Sequence, residues 1–134
     1  RTGATKQHIR QEIADGFGYD LGRTLAKIRP GYGFNETCQR TVPEAIIAFL
    51  EAESWEDAVR NAVSLGGDSD TLACIAGAIA EAFYGPVPER VRAKVRDVLT
   101  DDLWTITERF CRKYVDTGPA SASRQRRESG GPDT

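Results

Sequence analysis

The sequence predicts an all-α fold, a compact helical bundle, on three observations. Apolar residues recur at three- and four-residue spacing in several segments. Alternation of apolar and polar residues never lasts beyond a few positions, so no strand is expected. Short Gly-, Pro-, Ser- and Thr-containing stretches separate the helical patterns.

In chain order, residues 5–14 place Ile9 and Ile13 four apart, the pattern of a weakly amphipathic helix. Residues 16–40 are rich in glycine and aromatics; Leu21 to Ile28 reads as a short helix, and Pro30 to Gln39 as loop. Thr41-x-x-Glu44 has the form of a capping box, with Pro43 near the first helical position of a segment running to Ala52. Ser54-x-x-Asp57 opens another helix, with Trp55, Ala58, Val59, Ala62 and Val63 on its buried side and Gly66-Gly67 at its end. The next helix, Ser69 to Tyr84, has no charged residue from Leu72 to Ala80. It is expected to be enclosed by neighbouring helices, with Cys74 acting as a small apolar residue. Gly85-Pro86 stops it. Pro88-Glu89 begins an amphipathic helix carrying Val91, Val95, Val98 and Leu99, and a last one holds Leu103, Trp104, Ile106 and Phe110. Between them Asp101-Asp102 reads as a solvated turn. From Gly118 to Thr134 no large apolar residue appears, so the expected organisation is one domain over 1–117 and a disordered tail over 118–134.

Bulk composition narrows the function classes. A charged fraction of 28% and a net charge of −2 give no drive toward nucleic acid, even with Arg124, Arg126 and Arg127 in the tail. No apolar run approaches the roughly 20 residues of a membrane span, and residues 1–10 do not resemble a signal peptide. Three cysteines, Cys38, Cys74 and Cys111, without a Cys-x-x-Cys pair, indicate reduced thiols and a cytoplasmic protein. Cys38 lies near the glycine-rich loop of residues 31–38, and packing is favoured over lining that loop. His8, the one histidine, lies in a polar stretch and is read as solvated. The chain begins with Arg1 and contains no methionine, which leads to the expectation that an N-terminal portion is missing.

The chemically pointed segment is Gly66-Gly67-Asp68-Ser69-Asp70-Thr71, where a glycine turn meets a helix N-terminus. Two carboxylates and two hydroxyls there offer the hard oxygen donors that Mg²⁺ prefers. Asp and Ser are also favoured helix caps, and negative charge is favourable at a helix N-terminus. Taken alone, the residues leave a metal or phosphate site and a simple cap open.

The run from Gly66 through Leu72, Ala76, Gly77 and Ala80 to Tyr84-Gly85 resembles the C-terminal signature of the ADP-ribosylglycohydrolases, the family of the dinitrogenase reductase-activating glycohydrolase. The resemblance extends upstream through Cys38 to Leu50 and Ala58 to Leu65, covering about residues 5–115. It implies an all-helical fold and magnesium-dependent hydrolysis, with two Mg²⁺ ions in the intact site. ADP-ribose would be released from ADP-ribosylated proteins or small acceptors. By the same resemblance Asp68, Asp70 and Thr71 supply metal ligands, Asp68 and Asp70 act in catalysis through the metal, and Gly67, Ser69, Tyr32 and Phe34 face substrate. Tyr32 and Phe34 in their glycine-rich loop fit stacking on adenosine and a core plug equally well.

The departure from the family is its N-terminal half, whose Gly-Asp motif and Thr-Asp-Asp cluster are not recognisable here. The missing half of the same fold is therefore the expected partner, and the chain alone is expected to bind Mg²⁺ poorly and to lack activity. The alternative readings are a non-catalytic ADP-ribose-binding or crystallin-like structural relative, or a truncated pseudo-enzyme.

Overall fold

The structure, a computed structural model, describes residues 3–115. Every regular element among them is helical: α1 (Lys6–Phe17), α2 (Leu25–Ile28) running into a 3₁₀ turn (Arg29–Gly31), α3 (Cys38–Glu51), α4 (Trp55–Val63), α5 (Ser69–Tyr84), α6 (Glu89–Val98), α7 (Asp101–Phe110) and a π turn (Cys111–Val115). The chain divides into two compact units, one reaching Val87 and the other starting at Pro88. The expected tail over 118–134, with its three arginines, falls outside the described residues. None of the described helices is long and apolar enough to cross a membrane.

The first unit is built on α3, α4 and α5. Ala45 through Leu50 of α3 are all buried, and Phe49 is fully so. Its ring meets Phe83 edge-on at 5.3 Å and Tyr84 at 6.2 Å, both from the end of α5. Such edge-to-face pairs satisfy the ring quadrupoles while burying large apolar area. Small residues set the α4–α5 distance. Gly77 lies where an added Cβ would be 3.4 Å from Val59, and its carbonyl accepts from the Trp55 indole N–H at 3.1 Å. Glu51 accepts from the Leu25 N–H at 3.0 Å, so an α3 side chain satisfies the N-terminus of α2.

Helix α1 has no buried residue. It is fastened by Lys6, whose ammonium donates to the carbonyls of Leu50 and Ala52 at the end of α3. The same group lies over the rings of Phe49 and Tyr84, each at 5.3 Å. His8 is exposed, as expected, and its backbone N–H bonds the Thr5 hydroxyl that caps the helix.

Three sequence expectations change. The Thr41-x-x-Glu44 capping box does not form, because α3 begins at Cys38 with Thr37 as its N-cap residue. Asn35 causes the earlier start: its Oδ1 accepts from the Thr37 N–H at 2.9 Å and from the Thr37 hydroxyl at 2.6 Å. Thr41 donates back to the Asn35 carbonyl at 3.0 Å, and Glu44 pairs with Arg23 at 2.8 Å. Second, α5 is not enclosed. Leu72, Ala76, Gly77 and Ala80 are buried, while Cys74, Ala78 and Ala82 on the other face are exposed. Cys74 is therefore a surface thiol, and Cys38, assigned to packing, is exposed at the first position of α3. Third, Val63 is 50% exposed instead of buried.

The second unit holds α6 and α7. Arg96 joins them, bonding Asp101 at 2.7 Å and lying 5.3 Å over the Trp104 ring. Asp101 and Asp102 are exposed, but they form the first turn of α7 instead of a free turn.

Candidate functional site

Helix α4 ends at Val63, and the chain then winds through Gly66 and Gly67 at φ 74° and 60°. Both lie in the left-handed region, which costs an L side chain energy and glycine none. At Gly67 a second constraint applies. A Cβ there would lie 2.9 Å from both the carbonyl carbon and the oxygen of Gly33, and 3.1 Å from the Phe34 nitrogen. The turn thus presses its backbone against the backbone of the Tyr32–Phe34 loop. Two segments 34 residues apart meet where neither contributes a side chain.

Asp68 follows, half-buried, at the N-cap position of α5. Its backbone begins the helix, with the Leu72 N–H bonding the Asp68 carbonyl at 3.1 Å. Its carboxylate, however, makes no capping hydrogen bond. Ser54 at the head of α4, by contrast, does cap, accepting from the Asp57 N–H at 3.1 Å. Asp70 is exposed and accepts from the Thr71 N–H at 3.0 Å. The Asp68 carboxyl stands within hydrogen-bonding reach of Asp70 and holds it below the ordinary carboxylate range, with the Thr71 N–H adding to the effect. The hydroxyls of Ser69 and Thr71 make no hydrogen bond among the described residues.

Tyr32 and Phe34 part company. Tyr32 is half-buried against the core, and its hydroxyl donates to the Arg40 carbonyl at 3.4 Å. Burial pushes its phenol up; the Thr41 hydroxyl lowers it, and the charges of Glu44 and Asp68 raise it further. The tyrosine is thus close enough to both carboxylates to feel them. Phe34 is 67% exposed, so it is not a core plug. Its ring is free at the edge of the loop that touches Gly67.

A cavity of about 240 Å³ with Tyr32 in its wall opens between α2 and α3. Arg23, Lys27, Arg40 and Glu44 line it with Tyr32; Asp68 and Asp70 do not. Sequence reasoning missed this set. The sequence signal is faint: Arg23 and Lys27 stand four apart, and Glu44 also fits a capping box.

Five of the seven positions expected to face metal or substrate therefore fall into one segment, and the other two lie in the loop against it. Gly67, Asp68, Ser69, Asp70 and Thr71 are contiguous, and the Gly67 contact brings the Tyr32–Phe34 loop against them. The donor chemistry suits Mg²⁺, since the atoms are hard oxygens open to water. Among the described residues no third His, Cys, Asp or Glu joins them.

Among the described residues an all-helical fold brings two carboxylates to a glycine turn at the head of α5, against the Tyr32–Phe34 loop. The chain belongs to the ADP-ribosylglycohydrolase family, which it matches over residues 4–120. Neither a curated protein nor a solved structure matches it.

Proposed function

We propose that this chain supplies part of a magnesium-dependent site that hydrolyses ADP-ribosyl glycosidic links, releasing ADP-ribose from modified proteins or small acceptors. Family membership gives the general class, glycosidic-bond hydrolysis. One observation carries the finer reading: Asp68 stands at a helix N-cap without capping, its carboxylate close to that of Asp70. Two anions left side by side are held apart by repulsion unless a cation or a shared proton joins them.

Asp68, Asp70 and the Thr71 hydroxyl would hold Mg²⁺, the remaining donors being waters or groups outside this cluster. When bound, the ion supplies positive charge for orienting ribose hydroxyls and activating a water. The chain's own residues do the rest. Ser69 offers an unpaired hydroxyl to the sugar, and Gly67 admits close approach of the ligand to backbone. Phe34 presents an exposed ring on which a base can stack, next to Tyr32.

The test is ADP-ribose release from an ADP-ribosylated protein by the intact protein, with and without Mg²⁺. Asp68→Asn and Asp70→Asn are expected to cut the Mg²⁺-dependent rate at least about 100-fold. Full activity in both variants would defeat the assignment.

A further inference from the structure

Thr41 and Glu44 are the buried polar residues among those described, each 5% exposed. Glu44 is engaged by Arg23 at 2.8 Å. Thr41 is engaged outside its own helix. A threonine hydroxyl in a helix commonly bonds the carbonyl four residues back. For Thr41 that residue is Thr37, whose carbonyl accepts from the Thr41 N–H at 3.1 Å. The hydroxyl instead donates to the Asn35 carbonyl at 3.0 Å, and it stands within hydrogen-bonding reach of the Tyr32 phenol. One buried hydroxyl therefore holds both flanks of the dipeptide Gly33–Phe34.

That dipeptide is the part of the loop whose backbone meets Gly67. Burial of its own does not anchor it: Gly33 has no side chain, and Phe34 is 67% exposed. The acid turn on the other side of the contact is fixed independently. The Leu72 N–H bonds the Asp68 carbonyl, and α5 is packed through Leu72, Ala76 and Ala80. Loss of the Thr41 hydroxyl would therefore release the loop and leave the turn in place. We propose that Thr41 is a positioning residue for ligand binding at the acid turn. It acts through the loop: its hydroxyl keeps the Tyr32–Phe34 segment, and with it the exposed Phe34 ring, against Gly67. The ligand is the ADP-ribosyl group. That ligand rests on the hydrolase reading above; the hold of Thr41 on the loop does not.

The experiment compares Thr41→Val, which keeps the shape and removes the hydroxyl, with Thr41→Ser, which keeps the hydroxyl. A nuclear Overhauser effect from the Gly67 α-protons to the Phe34 amide reads the contact directly. Thr41→Val is expected to lose it and Thr41→Ser to retain it. In ADP-ribose release by the intact protein with Mg²⁺, Thr41→Val is expected to raise KM about 3–10-fold and to leave kcat within about twofold, the pattern of lost uniform binding. Thr41→Ser is expected to restore KM. A fall in kcat at unchanged KM would mark a merely structural role and overturn the proposal. So would an unchanged Overhauser effect in Thr41→Val, or an equal rise of KM in Thr41→Ser. If the melting curve shows Thr41→Val unfolded, Tyr32→Phe gives the same readouts, because it removes one flank's anchor and leaves Thr41. An unchanged contact and KM there would overturn the proposal too. No release of ADP-ribose by the unaltered protein would strike the hydrolase reading and the ligand named with it. The Overhauser comparison would still decide whether Thr41 holds the loop.

Discussion

Replacing Gly67 by alanine tests how the acid turn is held, and its neighbour provides the control. Both Gly66 and Gly67 have left-handed backbones, φ 74° and 60°, so alanine at either position is strained by about 1–2 kcal/mol. Only Gly67 adds a collision. Its new methyl would lie 2.9 Å from the Gly33 carbonyl carbon and oxygen, whereas an added Cβ at Gly66 has nothing within 4 Å. The obstacle is backbone on both sides, so no side chain can swing away. Overpacking of this kind costs a further ~1–3 kcal/mol. Gly66→Ala should therefore lose about 1–2 kcal/mol and Gly67→Ala about 2–5 kcal/mol. For a chain of this length that difference separates the melting temperatures by roughly 3–6 °C per kcal/mol. Urea unfolding of both variants, followed by ADP-ribose release, reads stability and function together. Gly67→Ala should also lose activity disproportionately, since relieving the clash moves the acid turn away from the Tyr32–Phe34 loop. Equal destabilisation of the two variants within about 0.5 kcal/mol would refute the close-contact argument.

Three further outcomes follow from the same structure. Asp70 titrates below the ordinary carboxylate range chiefly because of the Asp68 carboxyl, so its favourable contribution is present at neutral pH and fades as pH falls through the lowered value. Carboxyl NMR should show Asp70 moving up toward its ordinary value in Asp68→Asn; no movement would mean the two groups are not in contact. Phe49→Ala removes the ring on which Phe83 and Tyr84 pack and should cost about 3–5 kcal/mol in chemical denaturation, with a smaller loss pointing to a core that collapses into the space. Lys6→Met takes away the ammonium that ties α1 to the end of α3, and hydrogen exchange should accelerate across Lys6–Phe17 while α3–α5 keep their protection. Unchanged exchange in α1 would show that Ile9 and Ile13 suffice to hold it.

Local signals in the chain were sufficient for some elements and silent on others. Helix α5 ran from Ser69 to Tyr84 as its composition predicted, and Ser54 capped α4 through the bond expected of it. These features depend on residues within one or two turns. The start of α3 was misplaced because Asn35, three residues before Cys38, outcompetes the Thr41–Glu44 pattern through its bonds to Thr37. Glu44 was free to be misread because its true partner, Arg23, lies 21 residues away. The same distance problem hid the cleft between α2 and α3. It also hid the contact of Gly67 with Gly33, since no pattern in either segment announces the other. Small apolar residues on every face of α5 signalled burial all round, yet Cys74, Ala78 and Ala82 lie exposed. Apolar composition reports what a face tolerates and not what covers it. The acids were legible as a motif; that Asp68 leaves its own helix uncapped was visible only in three dimensions.

The account turns on Asp68 and Asp70 gripping a divalent cation, and weak binding is enough to reveal it. Mn²⁺, a paramagnetic stand-in for Mg²⁺, should broaden the amide signals of residues 66–71 first in an NMR titration of the protein. The broadening should disappear from that segment in Asp70→Asn. Broadening that instead centres on Asp101 and Asp102, or that persists unchanged in the variant, would contradict it.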